Sequence, residues 1–492
     1  MLFRPSNTTT QAGPLLLPTL AMVVMTVSIL QTMVVPIVGT IGEQLGVGTT
    51  AAGWVLTANL LAAVVATPVI GRLADLYGKR RVLLSVLGLV LVGSLLAAAT
   101  DSLALLLAGR VLQGVSYALF PIALALLRDE MPGVKLVGAM AVVSGTLSVG
   151  AGLGLILTGV LTSDGADYHR VFWLTAGILV VAFALSWLTV PTRPRADGGS
   201  VDWWGAVLLG TALVLLFLAL TQGRTWGWVS VPTLGCAIVG AAMSAVWWLF
   251  QNRVAAPLVA PRMLTHGPLL ATNIATLFVG IAMFLNFLAC SYFVQTPREV
   301  AGYGFSADVL SASLVYLLPG AALGAATSLI AGRLITRFGA RAVLIAGSAL
   351  GTSGFVFFAV ARDATWQVIT ASAAISVFVS LAFAAIPNLL MAEVPASDTG
   401  VANSVNSIVR TVGTSIASAV LTTMLATYTI DGSSIPREIV YTVAFLVGAV
   451  ACAIVTLCIV AIRIPQRAGQ HTHTDLYASA PAVPAETTHN RR

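Results

Sequence analysis

Charge is what this sequence has least of. Only 9% of its 492 residues are charged, against roughly 25% in an ordinary soluble domain, so a chain of this length could not clothe its surface for water. With 58% hydrophobic residues, lipid must be the solvent for most of that surface. Lysine is scarcer still: 2 of the 25 bases are Lys and 23 are Arg, a skew that reads as a GC-rich bacterial genome. The four cysteines, Cys236, Cys290, Cys452 and Cys458, lie in apolar segments without metal-ligand spacing or an extracellular disulfide framework, and read as packing residues. The five histidines, His169, His266, His471, His473 and His489, fall outside the apolar runs. All eighteen acids lie in loops, in tails or at the ends of apolar runs. An intramembrane enzyme would need paired embedded aspartates, a His-Glu-x-x-His run or a nucleophile with a base. The sequence has none of these, which leaves no enzyme, metal or cofactor to expect. The net charge of +7 is scattered between apolar runs and not gathered on one face, so nucleic acid is not an expected partner.

Long hydrophobic runs, by contrast, are abundant. A spanning helix needs about 20 apolar residues, and fourteen such runs occur, at about 16–38, 52–71, 82–100, 104–126, 136–161, 171–190, 203–221, 231–250, 269–294, 310–331, 342–360, 366–391, 401–425 and 439–462. The first is too long for a signal-peptide core and lacks a small-residue cleavage site, so it is kept as a helix. With a cytoplasmic N-terminus, 18 bases fall in inward loops and tails and 5 in outward loops, while Arg110 and Arg410 lie within spans. The positive-inside rule therefore predicts both termini inside.

The chain also repeats itself. Residues 71–84, GRLADLYGKRRVLL, match residues 332–345, GRLITRFGARAVLI, at seven of fourteen positions, and Leu126–Pro132 echoes Leu389–Pro395 at nearly the same offset. Two parallel half-bundles are implied, a known transporter construction. The second span maps onto the tenth, so spans seven and eight read as an insertion. The expected organisation is a tail at 1–15, a six-helix bundle at 16–190, a linker with two additional helices at 191–268, a second six-helix bundle at 269–462 and a disordered tail at 463–492.

At these loops the chain resembles the major facilitator superfamily, and the fourteen spans resemble its drug:proton antiporter branch over about residues 16–462. The resemblance implies an all-α integral membrane protein of the major facilitator fold, with two pseudo-symmetric six-helix bundles and two extra central helices. The motif Gly71-x-x-x-Asp75-x-x-Gly78-Lys-Arg80-Arg81 forms a tight turn with Asp75 available to a helix N-terminus in the other half, where the dipole favours an anion. By similarity that partner is the start of span thirteen, near Gly400–Asn403, and the contact latches the cytoplasmic side, with Arg80 or Arg81 competing for Asp75 on opening. Arg110-x-x-Gln113-Gly114 matches the antiporter motif in span four. An Arg placed centrally in a span costs about 2.5–3.5 kcal/mol on insertion scales and normally faces a cavity or a partner; in the family it helps to couple proton movement to the conformational change. Span thirteen carries Asn403, Asn406, Arg410 and Gly413, with Arg410 near the midplane. Gly150, Gly152 and Gly154 in span five keep the small residues of the family's Gly-Pro-x-x-Gly-Gly motif, a packing role. Ala151 replaces its Pro and Leu155 its last Gly.

Span one departs further: no acid precedes Pro36 in residues 26–35, where the family usually has a buried Asp. Proton relays use Asp, Glu or His inside spans, so the residues themselves do not support the proton coupling that the resemblance implies. Span-end acids such as Glu43, Asp308 or Asp129 are the remaining carriers. Two interior arginines without an embedded counter-charge bias the chamber toward anions or neutral amphiphiles. By similarity spans one, four, nine and twelve line that chamber. Candidate liners are Gln31, Asn59, Tyr117, Asn273, Phe284, Asn286, Phe287 and Asn388, with Asn406, and also Met25 and Tyr292. Pro36, Pro68, Pro121, Pro319 and Pro387 can bend spans. The expected function is export of drugs or lipophilic or amphiphilic metabolites across the bacterial cytoplasmic membrane by a monomer that exchanges them for protons. The alternative is a transporter of lipids or anionic amphiphiles without an embedded-carboxylate relay. Expected partners are a small lipophilic or amphiphilic substrate, protons and membrane lipid.

Overall fold

The computed structural model describes residues 13–131, 133–162, 167–192, 202–254, 257, 259, 265–394, 399–430, 433 and 435–461. Most of the expected tails, the basic residues Arg193, Arg195 and Arg262 and the part of the linker at 193–201 lie outside the described residues. Helices dominate because backbone N–H and C=O groups in lipid can only be satisfied within a helix or a closed barrel. The helices are α1 (Leu16–Thr32), α2 (Thr49–Tyr77), α3 (Lys79–Ala98), α4 (Leu103–Glu130), α5 (Gly133–Leu161), α6 (His169–Thr189) and α7 (Trp203–Trp226). They continue as α8 (Val231–Gln251), α9 (Gly267–Gln295), α10 (Ala312–Phe338), α11 (Ala340–Val360), α12 (Thr365–Glu393), α13 (Thr399–Thr427) and α14 (Glu438–Ala461). Thirteen of them are long and apolar enough to cross a membrane; α1, at 17 residues, is shorter.

The shortening of α1 departs from the expected span of 16–38. Pro36 has no N–H to donate to the Thr32 carbonyl, which accepts from Val35 N instead at 3.3 Å, and the chain turns before a short helix, Val38–Gln44. Two other prolines leave the same mark. A 3₁₀ stretch, Val115–Ala118, precedes Pro121, and a π stretch, Ala312–Leu317, precedes Pro319. Pro68 and Pro387 sit inside continuous α2 and α12.

Close helix contacts rest on small residues. α1 packs on α5, where a Cβ on Gly150 would lie 2.5 Å from the Met25 carbonyl and one on Gly154 would overlap Thr32 Oγ1. Ser28 and Thr158 hydroxyls donate across the same contact to Leu147 O (2.5 Å) and Met33 O (2.9 Å). α3 and α4 meet at Gly93 and Gly109, each placing its carbonyl within 2.7 Å of where the other's Cβ would be. The α7–α8 pair is asymmetric in its burial: α7 packs on α2, α8 and α13, and α8 chiefly on α7. Val231, Ile238 and Leu249 of α8 are exposed, as are Trp203, Trp204 and Trp228 at the ends of the pair, a pattern suited to acyl chains with aromatic girdles.

At the end opposite the 71–81 loop, α6 begins two residues before the expected span, at His169. Its ring pairs with Asp167 through Nδ1 and reaches the Thr100 carbonyl through Nε2 at 2.9 Å, while Tyr168 donates to the same carbonyl at 2.7 Å. Burial pushes the Asp167 carboxyl up, but hydrogen bonds from the His169 backbone and ring, with the charges of His169 and Arg170, outweigh it and hold it below the usual carboxylate range.

The reciprocal glycine contact predicts that Gly109→Leu destabilises the α3–α4 pair by about 1–3 kcal/mol, read as a lower unfolding temperature in detergent. Gly177→Leu, at an α6 position with open space around it, should leave that temperature unchanged.

Candidate functional site

The end of the bundle that carries the 71–81 loop is crossed by contacts between residues far apart in sequence. Gly78 caps α2 with φ 97° and Gly339 caps α10 with φ 83°, conformations that favour glycine in both copies of the repeat. A Cβ on Gly71 would overlap Ser404 Oγ, and one on Gly400 would lie 2.8 Å from both Asp75 carboxylate oxygens. The Asp75 carboxylate thus lies against the first turn of α13, where the N–H groups and dipole of a helix start favour an anion. In the second copy of the repeat, Gly332 packs on Gly138, where a Cβ would sit 2.5 Å from its Cα. The two contacts are related by the repeat: Gly71 corresponds to Gly332, and their partners Ser404 and Gly138 are each the sixth residue of their helices α13 and α5.

Two further ties at this end have partners outside the sequence motif. Arg128 at the end of α4 donates to Thr399 Oγ1 and to Val394 O (3.1 Å), so it too grips the start of α13. Lys79 pairs with Asp129 at 2.5 Å and donates to Ala125 O. Arg80 donates to Thr192 Oγ1 (2.5 Å) and Trp187 O (2.6 Å) and stacks over the Trp187 ring, which directs it toward α6 and away from Asp75. Arg81 is exposed.

Arg110, only 1% exposed, forms a knot within the first repeat. Its Nε donates to Val55 O (3.0 Å) and its Nη1 to Gln113 Oε1 (2.6 Å). Gln113 Nε2 donates to Ser94 Oγ (2.8 Å), and Asn59 Nδ2 to the Arg110 carbonyl (3.1 Å). Gly114 lets α2 approach, since a Cβ there would lie 2.5 Å from Asn59 O. A buried cation needs such dipoles when no carboxylate is at hand. Asn59, at 5% exposure, is engaged in this knot.

Arg410 has a different setting. It is half-buried, donates one long hydrogen bond, Nη2 to Ser407 Oγ at 3.2 Å, and lies over two rings, 5.3 Å from the Phe120 centroid and 5.0 Å from that of Phe383. Tyr117, half-buried and three residues before Phe120, interacts electrostatically with both Arg110 and Arg410. Nearby on α13, Asn406 Nδ2 donates to Asn273 Oδ1 (3.0 Å) and Thr276 Oγ1 (2.7 Å) of α9. Gln31, Phe284 and Phe287 are half-buried; Asn388 donates back to Ala384 O within α12. Asn286 is 8% exposed, and its buried Oδ1 has no hydrogen-bond partner among the described residues.

Gly150, Gly152 and Gly154 divide their contacts. Gly150 and Gly154 face α1, and Gly152 faces Ala321 of α10. Gly152 belongs to a series spaced seven residues apart: Gly138, Gly145 and Gly152 meet Gly332, Ser328 and Ala321 of α10, and Gly159 meets Leu310 just before it, so α5 runs along α10. At the end opposite the latch, a cleft of about 620 Å³ lies among Arg224 of α7, Tyr292 and Gln295 of α9, Thr422 of α13 and Tyr441 of α14.

The Major Facilitator Superfamily description matches residues 20–418 and 272–486. The chain is 28% identical over 383 residues to a triacylglyceride transporter of Mycolicibacterium smegmatis, covering 75% of this chain and 67% of that protein. It is 27% identical over 385 residues to multidrug resistance protein 3 of Bacillus subtilis, covering 75% and 72%. It is also 27% identical over 383 residues to the tetracenomycin C resistance and export protein of Streptomyces glaucescens, covering 76% and 68%. The crystal structure of the human organic anion transporter TETRAN superposes with a TM-score of 0.58 at 16% identity, covering 91% of this chain and 99% of that one, a likeness of fold.

The contacts at the 71–81 end predict how the latch opens. Ser404 is fully buried, so a cysteine placed there should react slowly with a membrane-impermeant maleimide applied from that end. Adding Asp75→Asn or Arg128→Gln should speed labelling by about tenfold, since each removes a charged tie to the start of α13 of about 1–2 kcal/mol.

Proposed function

From a chain that belongs to the major facilitator superfamily, we propose a secondary active transporter that exports drugs or lipophilic or amphiphilic metabolites across a bacterial cytoplasmic membrane. The chain is a multi-pass membrane protein, and the proposal concerns its cargo, direction and coupling. One observation carries it: the repeat-related contacts Gly71 with Gly400 and Ser404, and Gly332 with Gly138, join the two repeats at one end of the bundle. Two repeats joined in this way can rock about a central chamber and expose it to either side in turn. In this reading the latched end is cytoplasmic, the protein works as a monomer, and Asp75 and Arg128 hold the outward-open state. The relatives named for multidrug resistance, tetracenomycin C export and triacylglyceride transport support a lipophilic cargo. In this reading Arg110 holds α2, α3 and α4 as one rigid body, and proton exchange follows from the family resemblance.

A second reading is favoured by the missing acids. No Asp or Glu lies in the middle of a span in the sequence, so lipid or anionic-amphiphile transport without a conventional carboxylate relay is the alternative.

Reconstituted vesicles with and without an imposed pH gradient separate the two. For the antiporter, uptake of a lipophilic dye should rise about tenfold with the gradient and collapse toward the ungraded rate in Arg110→Ala. Movement indifferent to the gradient would favour the second reading.

A further inference from the structure

The two arginines inside the bundle differ in what remains for a ligand. Arg110 is fully buried and its guanidinium is tied to a carbonyl and to Gln113. Arg410 is half-buried, and among the described residues one of its five N–H donors makes a hydrogen bond to a protein group, at 3.2 Å to Ser407. Among the described residues its guanidinium also lies over the Phe120 and Phe383 rings and in the field of Tyr117. Ring faces stabilise a cation without accepting in-plane N–H hydrogen bonds, so they leave the donor fork of the guanidinium for another acceptor.

The position of this group is equally informative. Phe120 lies six residues before Leu126 and Phe383 six before Leu389, the residues that begin the second repeated segment, so the two phenylalanines are counterparts in the repeat. Each is ten residues from the latched end of its helix and Arg410 is eleven from the start of α13, which places all three about 15 Å deep at 1.5 Å per residue. That is about half the hydrocarbon thickness. One ring comes from each repeat, and the cation between the repeats belongs to the helix that Asp75 and Arg128 hold at its start.

We propose that Arg410 is the receptor for the oxyanion of an amphiphilic substrate, a carboxylate or phosphate on an apolar tail, with Phe120 and Phe383 as positioning residues that hold the guanidinium at the midplane. This rests on the reading of the chain as a transporter of amphiphiles and specifies the charge of its cargo. A planar fork engages carboxylate or phosphate oxygens bidentately. With no acid in the middle of any span, an entering anion meets no competing carboxylate there, whereas a lipophilic cation meets only like charge.

The test uses the full chain in nanodiscs of zwitterionic lipid, titrated with dansyl-undecanoate, its methyl ester, a dansyl alkyl phosphate and a dansyl alkylammonium of equal length, at a pH well above the carboxylate range. Arg410→Gln should weaken the carboxylate and phosphate probes by about tenfold or more and the ester by less than about twofold. Arg410→Lys keeps the charge and loses the fork, and should weaken both anions several-fold; it carries the test if Arg410→Gln does not fold. Phe120→Leu and Phe383→Leu should weaken the anions in the same sense. Which anion suffers more distinguishes carboxylate from phosphate cargo. Equal loss for ester and anions, unchanged anion binding in both Arg410 variants, or tighter binding of the ammonium to the wild type would overturn the proposal. Vesicle transport of the ester by the wild type separates the two levels: if neither ester nor anion moves, the transporter reading fails, and if the ester moves while Arg410 is irrelevant to anions, only the receptor fails.

Discussion

A guanidinium held in hydrocarbon must be met by something, and this protein meets its two interior guanidiniums without a carboxylate. A buried ion without partners is expensive enough to prevent folding, so the surroundings of Arg110 and Arg410 constrain the helices around them. Arg110 draws on Val55 of α2 and Gln113 of α4, and Gln113 continues to Ser94 of α3. Three helices are thereby fixed as a body. Arg410 is met by rings from α4 and α12, softer partners that do not fix a hydrogen-bond geometry and that come from both copies of the repeat.

This contrast suits a machine that moves as rigid bodies. Hydrogen-bonded knots belong within a body; ring faces and glycine contacts belong between bodies, where they can be parted without leaving an unsatisfied buried donor. The contacts between repeats have that character. Gly71 meets Ser404, Gly332 meets Gly138, and the glycine series of α5 runs along α10. The charged ties, Asp75 and Arg128 at the start of α13, lie at the end of the bundle, where they can exchange for water. α7 packs on both α2 and α13, the helices that meet at Gly71 and Ser404.

Much of this was legible in the chain. Apolar run lengths marked the spans because lipid thickness sets a minimum helix length. The doubled Gly-Arg-Leu segment marked the latch because a glycine with positive φ and a glycine that admits a backbone are hard to replace. The partner of Asp75 was placed at the start of span thirteen by resemblance, and the structure sets Asp75 against Gly400. Arg128 with Thr399, and Lys79 with Asp129, were not legible, since bases in a loop look alike until a partner hundreds of residues or a helix away is brought to them. Phe120 and Phe383 sit at matching places in the repeat, yet a phenylalanine in an apolar run carries no sign of what it touches. The end of α1 was misjudged because hydropathy continues through Pro36 while the hydrogen-bond ladder does not.

What the sequence determined by itself is therefore whatever depends on near neighbours: that the chain lives in lipid, where it crosses, where it turns, and that it is built twice. These follow from hydropathy, helical rise and the conformations open to glycine and proline, all of which act within a few residues. Only the tertiary structure decided which of two similar arginines is sealed and which keeps donors for a guest. That difference depends on acceptors and rings supplied by other helices, and no local pattern distinguishes an Arg beside Val55 O from one beside Phe120 and Phe383.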